Sequence, residues 1–214
     1  MHRHNQRLIF KVSVPSIALL AISALLIGCA GSTPTGTLPA GAALNDYQYL
    51  IGPGDTLNIF VWRNPDVSAN GVPVRPDGLI STPLVEDLPA SGFTSEQVAR
   101  AIEERLSKYI KDPLVTVTVV NFVGVYSAQI RVVGEAVTPA ALPYRKHMSL
   151  LDVMLQVGGL TEFADGNGAR IIRTVDGQQS EAGVRLDDLL KDGDISANLQ
   201  MYPGDILIIP EAWF

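Results

Sequence analysis

Cysteine is nearly absent: one occurs in 214 residues, at position 29. No intrachain disulfide can form, so a folded body has to be held by core packing. Histidine is almost as scarce, and since His2 and His4 sit at the extreme N-terminus, His147 is the one histidine left for the body. A His-based metal triad or a Cys/His nucleophilic pair cannot be assembled from that stock. No catalytic residue, metal or cofactor is therefore expected. His147 follows Arg145 and Lys146 in a polar run and reads as part of a solvated connection. Paired carboxylates could in principle cleave glycosides, but 22 acidic residues make neighbours such as Glu103-Glu104 and Asp187-Asp188 unavoidable, and adjacent acids usually face solvent. Positive charge is also in deficit. Residues 29–214 carry 13 basic and 22 acidic side chains, a net charge of −9. Nucleic-acid binding rests largely on Lys and Arg neutralising phosphates, so no nucleic-acid partner is expected.

A long apolar run is missing as well. The longest, residues 17–27, is apolar at every position but Ser23 and spans eleven residues, whereas a membrane-crossing helix needs about twenty. It follows a basic start (His2, Arg3, His4, Arg7, Lys11) and closes on Leu26-Ile27-Gly28-Cys29. Basic start, short apolar core and small residue form a signal peptide. The closing tetrad resembles the lipobox of bacterial lipoproteins, with cleavage between Gly28 and Cys29 and a diacylglyceryl thioether on the Cys29 sulfur. Each buried methylene contributes about 0.8 kcal/mol, and two or more chains anchor stably. Cys29 is accordingly the expected lipid-attachment residue. Ala30 and Gly31 follow with no Asp behind the cysteine, which resembles lipoproteins sorted to the outer membrane.

Four segments are expected: a signal peptide (1–28), a flexible tether (29–46), and two small α+β domains (47–121 and 127–214). Residues 30–44 (AGSTPTGTLPAGAAL) hold too few large apolar side chains to fold alone. Residues 49–61 (YLIGPGDTLNIFV) read as a Pro-Gly-Asp turn feeding a strand, with Leu57, Ile59 and Val61 on one face. A similar phrase returns near the other end, residues 201–210 (MYPGDILIIP). Pro presets one turn position, Gly accepts positive φ and Asp bonds nearby amides, so Asp55 and Asp205 are expected to be turn residues. Residues 72–85 read as a hairpin around Arg75-Pro76-Asp77-Gly78. Thr94 with Gln97 is a capping-box pattern, followed by Val98, Ile102, Leu106 and Tyr109 or Ile110 at helical spacing until Pro113. Residues 114–120 form a β-branched strand with Val115, Val117 and Val119 on one face. Beyond it come a strand at 129–133, a turn region at 134–139, and a second helix from Ser149 and Asp152 to Gly158-Gly159. That helix is so apolar (Leu150, Leu151, Met154, Leu155, Val157) that enclosure by sheet is expected. Strands at 169–174 and 206–209 and a short helical turn at 186–190 complete the pattern.

Taken together, these phrases resemble one family. Residues 49–61, then GFTSEQV (92–98), IEERL (102–106) and YIKDPLVTVTV (109–119), resemble the polysaccharide export domain of Wza-type outer-membrane auxiliary proteins. VGEAVTP (133–139), SLLD (149–152) and VGGLTEFAD (157–165) resemble one soluble-ligand-binding β-grasp (SLBB) module. The resemblance implies a helix-on-sheet domain followed by a β-grasp-like domain, in a ring-forming outer-membrane lipoprotein with its body in the periplasm. It further implies polysaccharide cargo, capsular or exopolysaccharide, and an inner-membrane polymerisation and export partner. The family supplies no catalytic residues, so only the lipid site, Cys29, is carried over. Larger members add β-grasp modules and a C-terminal membrane-crossing helix, whereas this sequence runs from its last strand into Pro210-Glu-Ala-Trp-Phe214. A short member that needs a separate outer-membrane β-barrel is the expectation. Trp213 and Phe214 are expected to pack on their own domain, with a partner contact as the alternative. The rival reading of the whole is a monomeric envelope lipoprotein that binds a soluble glycan or other ligand without transporting it.

Overall fold

The computed structural model describes residues 47–213. The first half runs β1 (Thr56–Val61), β2 (Ala69–Pro73), β3 (Leu79–Thr82), β4 (Val85–Pro89), α1 (Ser95–Leu106) and β5 (Val115–Asn121). The second half runs β6 (Gln129–Gly134), β7 (Ala141–Pro143), α2 (Leu150–Gln156), β8 (Arg170–Val175), β9 (Gln178–Gly183), α3 (Leu186–Leu190) and β10 (Ile206–Ile209). The chain is α+β, as expected.

In the first half, β1 is the central strand of a three-stranded antiparallel sheet in the order β2-β1-β5. Alternation puts Leu57, Ile59 and Val61 of β1 and Val115 and Val117 of β5 on the buried face. There they meet Val98, Ala99, Ile102 and Leu106 of α1. The helix starts where the sequence indicates: Thr94 Oγ1 accepts from the Gln97 amide, and the Gln97 side chain accepts from the Thr94 amide. It stops earlier than its periodicity indicates. Leu106 is its last residue, Ile110 still packs on the core through a following turn, and Tyr109 points outward.

The expected hairpin at 72–85 is not made. The Arg75-to-Gly78 turn does close, with Gly78 donating to the Arg75 carbonyl and Arg75 to the Leu79 carbonyl. Its two arms nevertheless part. β2 pairs with β1 (Leu57 opposite Val72), while β3 pairs with β4 (Ile80 opposite Leu88). Val72 and Val74 gain a buried place over the α1 core by leaving β3, so burial overrides the local turn.

The second half is a five-stranded mixed sheet, β7-β6-β10-β8-β9, with β10 parallel to β6 and antiparallel to β8. A parallel central pair with a helix across one face is the β-grasp-like arrangement. Ile130, Val132, Ile171, Leu207 and Ile209 of the sheet pack on Leu150, Val153 and Met154 of α2. Ser149 caps α2 through a second capping box, with Asp152 as its reciprocal partner. The helix is not enclosed as its composition indicates: Leu155 is 71% exposed, and Leu151 is only half-buried. With seven residues it has one inward stripe, and a second layer on its far side is absent among the described residues.

Candidate functional site

Both Pro-Gly-Asp phrases fold into the same turn. The Asp55 amide donates to the Gly52 carbonyl and the Asp205 amide to the Tyr202 carbonyl, with Gly54 and Gly204 at φ +90° and +83°. A glycine in the third position with positive φ is what this turn requires. In each, the aspartate carboxylate accepts back from the residue three before it, Gly52 at 2.9 Å and Tyr202 at 2.8 Å. Both aspartates are fully buried, and each carries a second task that the sequence does not disclose.

Asp55 ties the first half to the connector. Its Oδ1 accepts from the amides of Val123 and Gly124 at 2.6 and 2.8 Å, and its Oδ2 accepts from the Tyr49 hydroxyl at 2.7 Å. Burial, and next the bond to Asp55, raise the Tyr49 pKa far above the usual phenol value, so this hydroxyl stays a donor at any physiological pH. The backbones approach so closely here that a Cβ on Gly52 would fall 1.9 Å from the Gly124 carbonyl oxygen. Asp205 instead pairs with buried Arg173, whose Nε and Nη2 donate to its two carboxylate oxygens at 2.9 and 2.8 Å. Arg173 also lies 3.9 Å over the Tyr202 ring and donates to the Gln200 carbonyl. Neither aspartate is placed as an acid, a base or a metal ligand.

The other singled-out residues lie apart from one another. His147 is exposed, at φ +65°, in the loop before α2. Glu103 pairs with Arg100 and accepts from the Val115 amide, while Glu104 faces solvent. Asp187 and Asp188 on α3 pair with Lys191 and Arg185. Among the described residues no three His, Cys, Asp or Glu side chains cluster as a metal site. Gly28, Cys29 and Phe214 lie outside the described residues. Trp213 does not pack on its own domain as expected: it is 100% exposed, because the strand-like bridging of this tail ends at Glu211 and Ala212.

What the fold does bring together is a seam of aromatic rings. Tyr47 packs edge-on to Tyr144 of the second half, with centroids 4.8 Å apart, and Tyr49 edge-on to Phe122 of the connector at 5.2 Å. Two recesses flank this seam and share Tyr49 and Phe122 as a wall. One, of about 350 Å³, is lined by Tyr47, Tyr144, Pro143, Arg145 and Lys146. The other, of about 460 Å³, runs along β5 and the start of α1, lined by Val117, Thr118, Val119, Thr94 and Glu96.

The β5 groove borders an open sheet edge. Among the described residues, strand β5 is paired with β1 only. The Trp62 amide donates to the Leu114 carbonyl, so alternation turns the amides of Val115, Val117 and Val119 to the free side. At Val115 that side is closed by α1: Glu103 accepts from its amide and Arg100 donates to its carbonyl. Past Val115 no hydrogen bond reaches the free side among the described residues. The solvent face of the same sheet carries an exposed edge-to-face pair, Phe60 and Trp62, beside Asn58, Thr116 and Thr118.

These features define a two-part α+β protein whose conspicuous chemistry lies in open recesses, an open strand edge and exposed rings. A family model described as polysaccharide biosynthesis/export protein matches residues 43–120, and the SLBB domain model matches residues 128–209. The chain is 27% identical over 186 residues to a protein of Ralstonia nicotianae named EPS I polysaccharide export outer membrane protein EpsA, covering 76% of this chain and 47% of that one. It is 30% identical over 151 residues to the exopolysaccharide production protein ExoF of Rhizobium meliloti, covering 65% and 34%. A Ralstonia solanacearum protein, again named EPS I polysaccharide export outer membrane protein EpsA, is 29% identical over 182 residues. The matched region spans about half the length of the first of these relatives and about a third of ExoF. The chain belongs to the polysaccharide export protein family.

Proposed function

We propose that this chain is an envelope lipoprotein, anchored in the outer membrane through Cys29 with its body in the periplasm, that assembles with copies of itself into a collar or channel for exported polysaccharide. The observation that carries the reading is the order of the two family matches, export domain then SLBB domain, over nearly all of the described chain. The relatives' names point to exopolysaccharide as cargo, and the proposal adds an inner-membrane polymerisation and export protein as the partner that delivers it. No described helix is long and apolar enough to cross a membrane, and in this reading the acyl chains on Cys29 hold the protein in place. The domain boundaries proposed with it are 1–28 signal peptide, 29–46 tether, 47–121 export domain and 127–214 SLBB domain.

A passage around a hydrated polymer needs several chains, and the open β5 edge supports their association. An edge strand open on one side, with β-branched residues, offers amides and carbonyls to another chain's backbone, and Phe60 and Trp62 offer aromatic area beside it. Conduction is passive in this scheme: contacts with the polymer are numerous and weak, because tight binding would stall it.

The test is the location of polysaccharide in a strain lacking this gene, with full-length and Cys29→Ala copies restored separately. Loss of surface polymer that only the full-length copy corrects is expected. Unchanged surface polymer in a strain with no second exporter overturns the reading and leaves glycan binding without transport.

A further inference from the structure

The recess of about 350 Å³ beside Tyr144 differs in charge from the rest of the molecule. Its walls are rings, Tyr47, Tyr49, Phe122 and Tyr144, arranged as two edge-to-face pairs. Its rim is Arg145 and Lys146, which lie together with His147 in a chain whose acids outnumber its Lys and Arg by 22 to 16. Five of the nine arginines among the described residues, Arg75, Arg100, Arg170, Arg173 and Arg185, each hold an acid. Arg145 is exposed and enters none of the ion pairs among the described residues. The rings, by contrast, are fixed. Tyr49 is held by its bond to buried Asp55, Tyr144 is buried, and Pro143 stiffens the strand that leads to the basic pair.

We infer that this recess is a binding site for one acidic sugar unit, a pyranose carrying a carboxylate, within a polysaccharide chain. A pyranose ring presents a face of C–H bonds with partial positive charge, which suits the negative face of an aromatic ring. The carboxylate on the same unit suits Arg145 and Lys146, and Arg can take it through two parallel bonds. The volume lies at the low end of ligand pockets, roughly 300–1,000 Å³, which fits one sugar with its neighbours outside. A bare anion would leave the rings unused, and a neutral sugar would bring no charge to Arg145. The inference rests on the export reading for its polymer and adds a class to it: the cargo contains uronic-acid or similarly acidic residues.

Binding is measured by titration calorimetry on the full-length lipoprotein in detergent, with tetragalacturonate as the acidic probe and maltotetraose as the neutral one. Tetragalacturonate is expected to bind more tightly, and to weaken as salt is raised. Arg145→Gln with Lys146→Gln changes only exposed side chains and should weaken the acidic probe about tenfold or more, the effect of removing charge-assisted bonds. Phe122→Ala, at a side chain 54% exposed, should weaken both probes. Equal affinity for the two probes, or full retention of tetragalacturonate binding by the double variant, overturns the inference. So does binding to phosphatidylglycerol vesicles or to a polyglutamate peptide that the double variant loses while tetragalacturonate shows none. Absent tetragalacturonate binding together with polymer loss in the deletion strain rejects the recess alone. Binding together with unchanged surface polymer upholds the recess and rejects export.

Discussion

Asp55 shows how much one residue can carry without any chemistry of its own. Three amides and a phenol converge on its carboxylate, so it closes the Pro-Gly-Asp turn, clamps the connector at Val123 and Gly124, and sets the ring of Tyr49. Asp55→Asn keeps the shape but turns an amide NH₂ toward donors. It should cost about 3 kcal/mol, the scale of one or two lost charge-assisted bonds, seen as a lower urea midpoint with an unchanged slope. At the matching turn, Arg173→Met strands the Asp205 charge in the core and should cost about 3–5 kcal/mol, most of it recovered by adding Asp205→Leu. Failure of the second substitution to restore stability in urea unfolding contradicts that account of the pair. The turns themselves were legible in the repeated Pro-Gly-Asp phrase. Their partners were not, because Val123 and Arg173 lie tens of residues away and local turn chemistry says nothing about them. Trp213 stays outside for a related reason: an aromatic residue is buried only where a surface is offered to it.

Elements were legible where the pattern was strong and short in range. Thr94 with Gln97 places the start of α1, and the alternation of Val115, Val117 and Val119 places β5, within a residue or two of where they lie, whereas α1 ends at Leu106, short of its apolar periodicity. Pairing was harder. The Arg75-Pro-Asp-Gly phrase discloses its turn but not its ladder, since Val72 finds its partner in Leu57 rather than across its own turn. Strand β9 (QQSEAG) has no apolar alternation to announce it, and it forms because β8 offers an edge. The cap of α2 gives a test by pH. Bonds from the Ser149 side chain, then from its amide, lower the Asp152 pKa. A carboxyl lowered on folding stabilises above its unfolded value, about 3.9, and the contribution is lost as pH falls through the folded value. Asp152→Asn should therefore lower the melting temperature at pH 6 by more than at pH 2.5. An equal difference at both values contradicts the charged cap.

At the scale of the molecule, the two cores are separate clusters stitched along one seam. Tyr47, at the start of the described chain, packs on the second core, and Asp55 reaches the connector that follows β5. The family was legible because its phrases come in order over most of the chain. The aromatic recess was not, because its rings come from three places that only the fold unites. Anchoring is tested by fractionation: the full-length protein should sediment with outer membranes, and Cys29→Ala should be released to the soluble periplasm. Assembly is the central claim, since a chain of 23.0 kDa in this reading surrounds a polymer only as one of several copies. Its most direct test is the mass of the protein extracted in mild detergent, for the natural chain and for Thr118→Lys, which places an exposed charge beside the open edge of β5. A discrete multimer for the natural chain, reduced toward single chains in the variant with the melting temperature unchanged, is the predicted result. A monomer at high concentration contradicts the account and leaves a lipoprotein that binds glycan one chain at a time.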